Sequence, residues 1–268
     1  MTTPELLSDF GAADGAVDLA PASRAGTRRY VLWDLPLRVF HWSLVAAVTT
    51  AVMTGELGGA WMPWHGRAGL AIVGLLVFRI VWGVVGSATA RFTQFAPTPT
   101  RLLAYVRGRW RGVGHNPLGA LSVFALLALL SAQAATGLFG NDDIAFAGPL
   151  NHLVDDTLGA RATGWHRLLA DGLFVLMALH LLAIAFHVVV KRHRLIRPMI
   201  TGLQDVAPGM PLPKPVARGL GRFGLLAAVS LAAVAVLALA GAGESPVASR
   251  PSAVSAVVAK APASAPSW

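Results

Sequence analysis

The run GWHRLLADGLFVLMALHLLAIAFHVVVKRHR, residues 164–194, decides how this chain folds. It is long and apolar enough to cross a bilayer as one helix, and it ends on a basic cluster. It also carries His166 and His180, fourteen residues apart. At about 100° per residue, that spacing leaves the imidazoles about 40° from alignment and about 21 Å apart along the axis. One helix face therefore presents two imidazoles at two depths. Ionisable groups inside a span are costly and functional by default, so each needs a partner.

The rest of the chain supplies partners. With 55% hydrophobic residues and a mean hydropathy of +0.60, the composition is that of a polytopic membrane protein. Five stretches are long enough to span: 39–57, 67–85, 117–139, 167–190 and 223–242. His41 lies at the start of the first and His65 just before the second. The leader carries Glu5, Asp9, Asp14 and Asp18 and does not resemble a cleavable signal peptide.

The net charge of +9 follows topology and gives no reason to expect nucleic acid. Arg24, Arg28, Arg29 and Arg38 precede the first span; Arg91, Arg101, Arg107, Arg109 and Arg111 follow the second; Lys191, Arg192, Arg194 and Arg197 follow the fourth. The alternate connections are acidic or neutral, with Asp142, Asp143, Asp155 and Asp156 against Arg161 in the longer one. The positive-inside rule puts the N-terminus in the cytoplasm and, after five spans, the C-terminus outside. Attraction to anionic membrane lipid is a secondary consequence.

Depth then pairs the histidines. His65 and His166 fall at the outer level and His41 and His180 at the inner one, so the topology from arginines agrees with the spacing of imidazoles. Two noncovalent b haems, each gripped by two histidines, use all four. Such iron is coordinatively filled and passes single electrons. The chain has no cysteine, which excludes disulfides, thiolate-bound clusters and covalent haem attachment. Arg79, fourteen residues after His65, is a candidate propionate counterion at the inner level, where Arg38 could assist, and Arg67 and Arg167 are candidates at the outer level. His187 is the rival to His180, whereas His115, His152 and His193 read as solvated residues of connections.

The expected fold is an all-α membrane protein, a four-helix transmembrane haem-binding bundle with one extra C-terminal transmembrane helix. Residues 1–29 read as a disordered cytoplasmic extension, 30–201 as the dihaem domain and 202–221, with Pro208, Pro211, Pro213 and Pro215, as a cytoplasmic linker. Residues 222–243 read as the fifth helix and 244–268 as a disordered periplasmic tail.

Several segments carry a family resemblance: VLWDLPLRVFHW (31–42), HGRAGLAIVGLLVFRIVWGVVGS (65–87), GHNPLGALSV (114–123), TGLF (136–139) and RPMITG (197–202). Over residues 30 to about 202 the chain resembles the bacterial cytochrome b561 family, in the branch that includes b-type cytochrome subunits of nickel-iron hydrogenases. The resemblance implies a four-helix dihaem bundle of the bacterial inner membrane whose ligands map to His41, His65, His166 and His180. It implies electron transfer between a quinone or quinol and a redox partner, either a periplasmic cytochrome or a hydrogenase-type protein. Some relatives of this fold oxidise superoxide and reduce quinone, the alternative expectation. Arg67, Arg161 and Arg167 would then steer the anion.

Overall fold

A computed structural model of the chain describes residues 28–144, 146–206 and, within the fifth predicted span, 223, 225–227, 229–231, 233–234 and 237–238. Four helices are long and apolar enough to cross a membrane. Helix α1 covers Leu35–Leu57, α2 Met62–Val85, α5 Pro117–Phe139 and α6 Asp156–Val189. Short helices α3 (Phe92–Phe95) and α4 (Pro99–Val106) link α2 to α5, and α7 (Ile196–Thr201) follows α6. The chain is a multi-pass membrane protein built from two antiparallel hairpins, α1–α2 and α5–α6, joined chiefly where α2 meets α5.

Capping chemistry sets the helix starts. Asp34 accepts from the backbone N–H of Leu37 (2.8 Å), Asn116 from that of Gly119 (2.7 Å) and Asp155 from that of Leu158 (2.8 Å). A carboxylate or amide oxygen there satisfies one of the N–H groups that a helix start leaves open. This corrects the expected start of the fourth span from 167 to Asp156. Apolar content marks only the hydrocarbon-spanning part; the cap at Asp155, with Asp156 in the first turn, carries the helix eleven residues further out. The helix is about 51 Å long.

The expectation of a purely helical chain is also corrected. Arg28–Val31 forms strand β1, paired antiparallel with β2, Leu203–Val206, in the register Arg28 to Val206 and Val31 to Leu203. Strand β1 thus begins within the expected extension, 1–29, and β2 lies within the expected linker, 202–221. Gly202 makes the turn from α7 into β2. It sits at φ 80°, where glycine carries no Cβ penalty, and a Cβ there would lie 2.8 Å from the Trp33 carbonyl oxygen. Its own carbonyl accepts from Leu32 N (2.8 Å), while the Ile200 and Met199 carbonyls accept from Arg38 Nη1 (2.6 Å) and Trp42 Nε1 (3.1 Å). The chain beyond α6 thus clamps the start of α1 on both sides of His41.

We call the end of the bundle carrying this sheet basal and the other end distal. The basal core packs Leu32, Trp33, Leu37, Phe40, Phe78 and Trp82, with Phe78 stacked on Trp82 at 5.8 Å. A second core at mid-depth joins Ile72 and Leu76 of α2 to Leu130 and Leu173 of α5 and α6. The described residues of the fifth predicted span are helical and lie against α2: Leu226 is buried in the basal core, and a Cβ on Gly74 would meet Val234 at 2.6 Å. The expected segments at 1–27 and 207–222 and the tail 244–268 lie outside the described residues.

Asp34 joins helix start to core, since its second carboxylate oxygen accepts from Trp82 Nε1 (3.0 Å). Replacing Asp34 by Ala should destabilise the basal end by about 2 kcal/mol, about 1 from the cap and about 1 from the indole bond. Thermal unfolding in detergent checks this, with Asp34→Asn expected to recover most of the loss and an unchanged midpoint in the Ala variant contradicting it.

Candidate haem sites

The structure brings His65 and His166 together. Their ring centroids are 6.0 Å apart and their planes cross at 82°. Each ring is held by the neighbouring helix of its own hairpin: His65 Nδ1 lies 2.8 Å from the Ala51 carbonyl oxygen of α1, and His166 Nδ1 lies 2.9 Å from the Gln133 carbonyl oxygen of α5. A carbonyl only accepts, so Nδ1 carries the proton in both rings and donates. That leaves Nε2 with its lone pair free, the neutral tautomer a metal needs.

Glycine makes room for each ring. A Cβ on Gly55 would sit 2.9 Å from His65 Nδ1, and one on Gly137 would sit 2.9 Å from His166 Cε1. Each glycine lies four residues, one helical turn, beyond its acceptor carbonyl and directly after a threonine, Thr54 or Thr136. Thr136 Oγ1 lies 3.3 Å from His166 Nδ1 and donates to the Ala132 carbonyl. The same arrangement thus occurs at the distal ends of α1 and α5. TGEL and TGLF close those helices in the sequence, a short internal echo that hydropathy does not show and that could have pointed to Ala51 and Gln133.

Between the hairpins lies a cavity of about 450 Å³, lined by Gly55, His65, Gly69, Gly137, His166 and Arg167 among others. The loop after α5 reaches over it. Asp142 Oδ1 accepts from Ile144 N and Phe146 N, and Phe146 packs edge-on to His65 at 6.4 Å. Arg167 is among the residues that line this cavity. Arg67 is not; its guanidinium lies 4.8 Å over the Trp64 ring on its own helix.

The site suits a metal that brings most of its own ligands. Metal–imidazole bonds of about 2 Å on opposite faces of one ion put ring centroids roughly 6 Å apart. Among the described residues no group of three or more His, Asp or Glu could hold a bare ion. A flat tetradentate macrocycle carrying iron fits the two facing imidazoles and the glycine-walled, mostly apolar cavity.

At the basal end, His41 and His180 lie within electrostatic range of one another. His180 Nδ1 is 3.4 Å from Ser122 Oγ, and His41 Nδ1 is buried without a partner. His187 turns back onto its own helix, with Nδ1 2.9 Å from the Ala183 carbonyl oxygen, and neighbours His193 at 6.0 Å. Arg79 is only 2% exposed and lies 4.4 Å over the Phe92 ring.

His115 corrects the sequence reading. It is half-buried, not a solvated loop residue, and lies between Trp33 and Phe95 with both rings at 4.6 Å. Burial first, then the nearby Arg79, His180 and His41, push its pKa down to about 3, so the ring is neutral at physiological pH. Its place beside Asn116, the cap of α5, brings it to the basal site, and position in a connection gave no signal of that.

No solved structure matches the chain. It is 25% identical over 217 residues to a probable Ni/Fe-hydrogenase B-type cytochrome subunit of Azotobacter chroococcum mcd 1, covering 67% of this chain and 89% of the relative. A protein of the same description from Rhizobium leguminosarum bv. viciae is 25% identical over 136 residues, covering 40% of this chain and 57% of the relative. The pattern of the prokaryotic cytochrome b561 family matches residues 32–202, from just before the Asp34 cap to the Gly202 turn. With that match spanning the whole four-helix bundle, the chain belongs to the prokaryotic cytochrome b561 family, the b-type cytochromes that transfer electrons in membranes.

Proposed function

We propose that this protein is a dihaem electron carrier of the bacterial inner membrane. His65 and His166 hold the distal haem, and His41 and His180 hold the basal one. The observation that carries this reading is the distal pair: two imidazoles 6.0 Å apart, each with its proton committed to a helix carbonyl. A haem held by these residues would supply one-electron transfer. The protein's part is to keep each Nε2 unprotonated, fix ring orientation and exclude water from the glycine-walled cavity. At the basal end, His41 and His180 lie within range of one another whereas His187 neighbours His193, which favours His41 with His180.

Electrons then pass between a quinone pool and a hydrogenase-type partner. The hydrogenase partner is supported by the two relatives, both described as subunits. The basal end is cytoplasmic in this reading, because Arg101, Arg107, Arg109, Arg111 and Lys191 gather there. The segment from Phe223 is a fifth span that packs along α2 through Gly74. The superoxide alternative gains nothing from the relatives, and Arg67, one of its three steering cations, is engaged with Trp64 away from the cavity lining.

A pyridine haemochrome assay on the purified chain should give two haems. His65→Ala and His166→Ala should each remove one and the same haem, and His41→Ala and His180→Ala the other. Loss of the basal haem in His187→Ala but not in His180→Ala would overturn the basal assignment. Gly55→Ala and Gly137→Ala should each lower distal occupancy severalfold, because the added methyl meets a ring that cannot swing away; full occupancy in both would contradict the packing argument. The chain lacks cysteine, so single substitutions report topology cleanly. A membrane-impermeant maleimide should label Ile144→Cys and Ser267→Cys in intact cells, and Arg109→Cys only after lysis; the reverse pattern would invert the orientation.

A further inference from the structure

The basal end concentrates buried side-chain nitrogens left open among the described residues, although Arg38 also donates through Nη1 to the Ile200 carbonyl. Among the described residues, six buried side-chain nitrogen or oxygen atoms have no hydrogen-bond partner, and five belong to this end: Arg38 Nε, His41 Nδ1, Arg79 Nη1, Arg91 Nε and His115 Nδ1. The aromatic contacts show how closely they gather. Arg79 lies 4.4 Å over Phe92, which follows Arg91 in sequence. Phe92 meets Phe95 at 6.0 Å, and Phe95 meets His115 at 4.6 Å. Arg38 lies one turn before His41 on α1.

The acid that acts on Arg79 is Asp34, and its two oxygens already accept from Leu37 N and Trp82 Nε1. A buried donor left unmade costs roughly 1–3 kcal/mol, and more when charged. Removing one member of a buried charge pair leaves a larger penalty still. The open Arg38 Nε, Arg79 Nη1 and Arg91 Nε at this one end therefore call for an anion with several acceptor oxygens. Planar guanidinium edges match carboxylate geometry in particular.

We propose that Arg38, Arg79, Arg91 and His115 form an anion cradle for the paired carboxylates at the edge of the cofactor that His41 and His180 hold. This rests on the dihaem reading and extends it. The sequence suggested Arg79, with Arg38 assisting; the structure adds Arg91, from the connection after α2, and His115, from the connection before α5. The division of labour is physical. The arginines supply charge and donors, whereas the neutral His115 supplies one hydrogen bond and a ring clamped between Trp33 and Phe95. A lipid phosphate shares the acceptor chemistry, but reaching Arg79 would take it well inside the helix bundle, where the side chain is only 2% exposed.

Redox titration of the purified full chain reads the cradle. Positive charge disfavours the ferric form, so Arg79→Gln and Arg91→Gln should lower the midpoint potential of one haem only, the haem lost in His41→Ala. Arg79→Lys should stay close to the parent value. His115→Leu should weaken retention of that haem with a smaller change in potential. A shift confined to the other haem, or no shift in any variant, overturns the proposal. Reconstitution of haem-depleted wild-type protein avoids dependence on variants. The basal site should bind haem b at least tenfold more tightly than its dimethyl ester, whose carboxylates are blocked. Equal affinity overturns the cradle, as would delipidated protein that retains one phosphate per chain and loses it on Arg79→Gln, since the anion would then be a lipid headgroup. Protein that takes haem at neither site would sink the dihaem reading and the cradle with it.

Discussion

A helix carbonyl that accepts a second hydrogen bond, from an imidazole on the neighbouring helix, is the interaction on which the distal site depends. The Ala51 and Gln133 carbonyls are that acceptor in the two hairpins. Each bond fixes the tautomer, the direction of the ring and the availability of the opposite nitrogen. It also demands space, and each hairpin provides it by placing a glycine one turn beyond the carbonyl. Helix packing, ring orientation and ligand chemistry are therefore one constraint met twice.

The membrane changes what that constraint is worth. Lipid tails are as apolar as leucine, so mid-depth contacts such as Ile72 and Leu76 with Leu130 contribute mainly through fit. Polar groups carry more of the specificity. At the basal end the Asp34 cap, the Trp82 indole and the carbonyls that receive Arg38 and Trp42 tie α1, α2 and α7 together around His41. Arg79 Nη1 and Arg91 Nε, without a partner among the described residues, lie at the same end. A rigid frame with open donors is what a site looks like when its counter-charge arrives with the cofactor.

Much of this was legible in the sequence, and the losses have identifiable causes. The four spans follow from apolar runs, and the facing of His65 and His166 follows from fourteen-residue spacing combined with arginine topology. The start of α6 was missed because hydropathy ends before capping chemistry does. The small sheet was missed because its two strands are four residues each and lie more than 170 positions apart, so no local period announces the pairing. His115 was misread because a position in a connection says nothing about which rings close over it. Adjacency to a site residue does not decide where a long side chain lies, and Arg67 lies over Trp64. Backbone acceptors such as Ala51 are invisible to side-chain reasoning, although the repeated Thr-Gly pair hinted at them.

The central claim is that opposed neutral imidazoles fill both axial positions of each iron. Near-infrared magnetic circular dichroism of the oxidised protein identifies the axial pair directly. The account predicts low-spin bis-imidazole bands for every haem present. A band for methionine or amine ligation, or a high-spin spectrum with an open axial position, would contradict it.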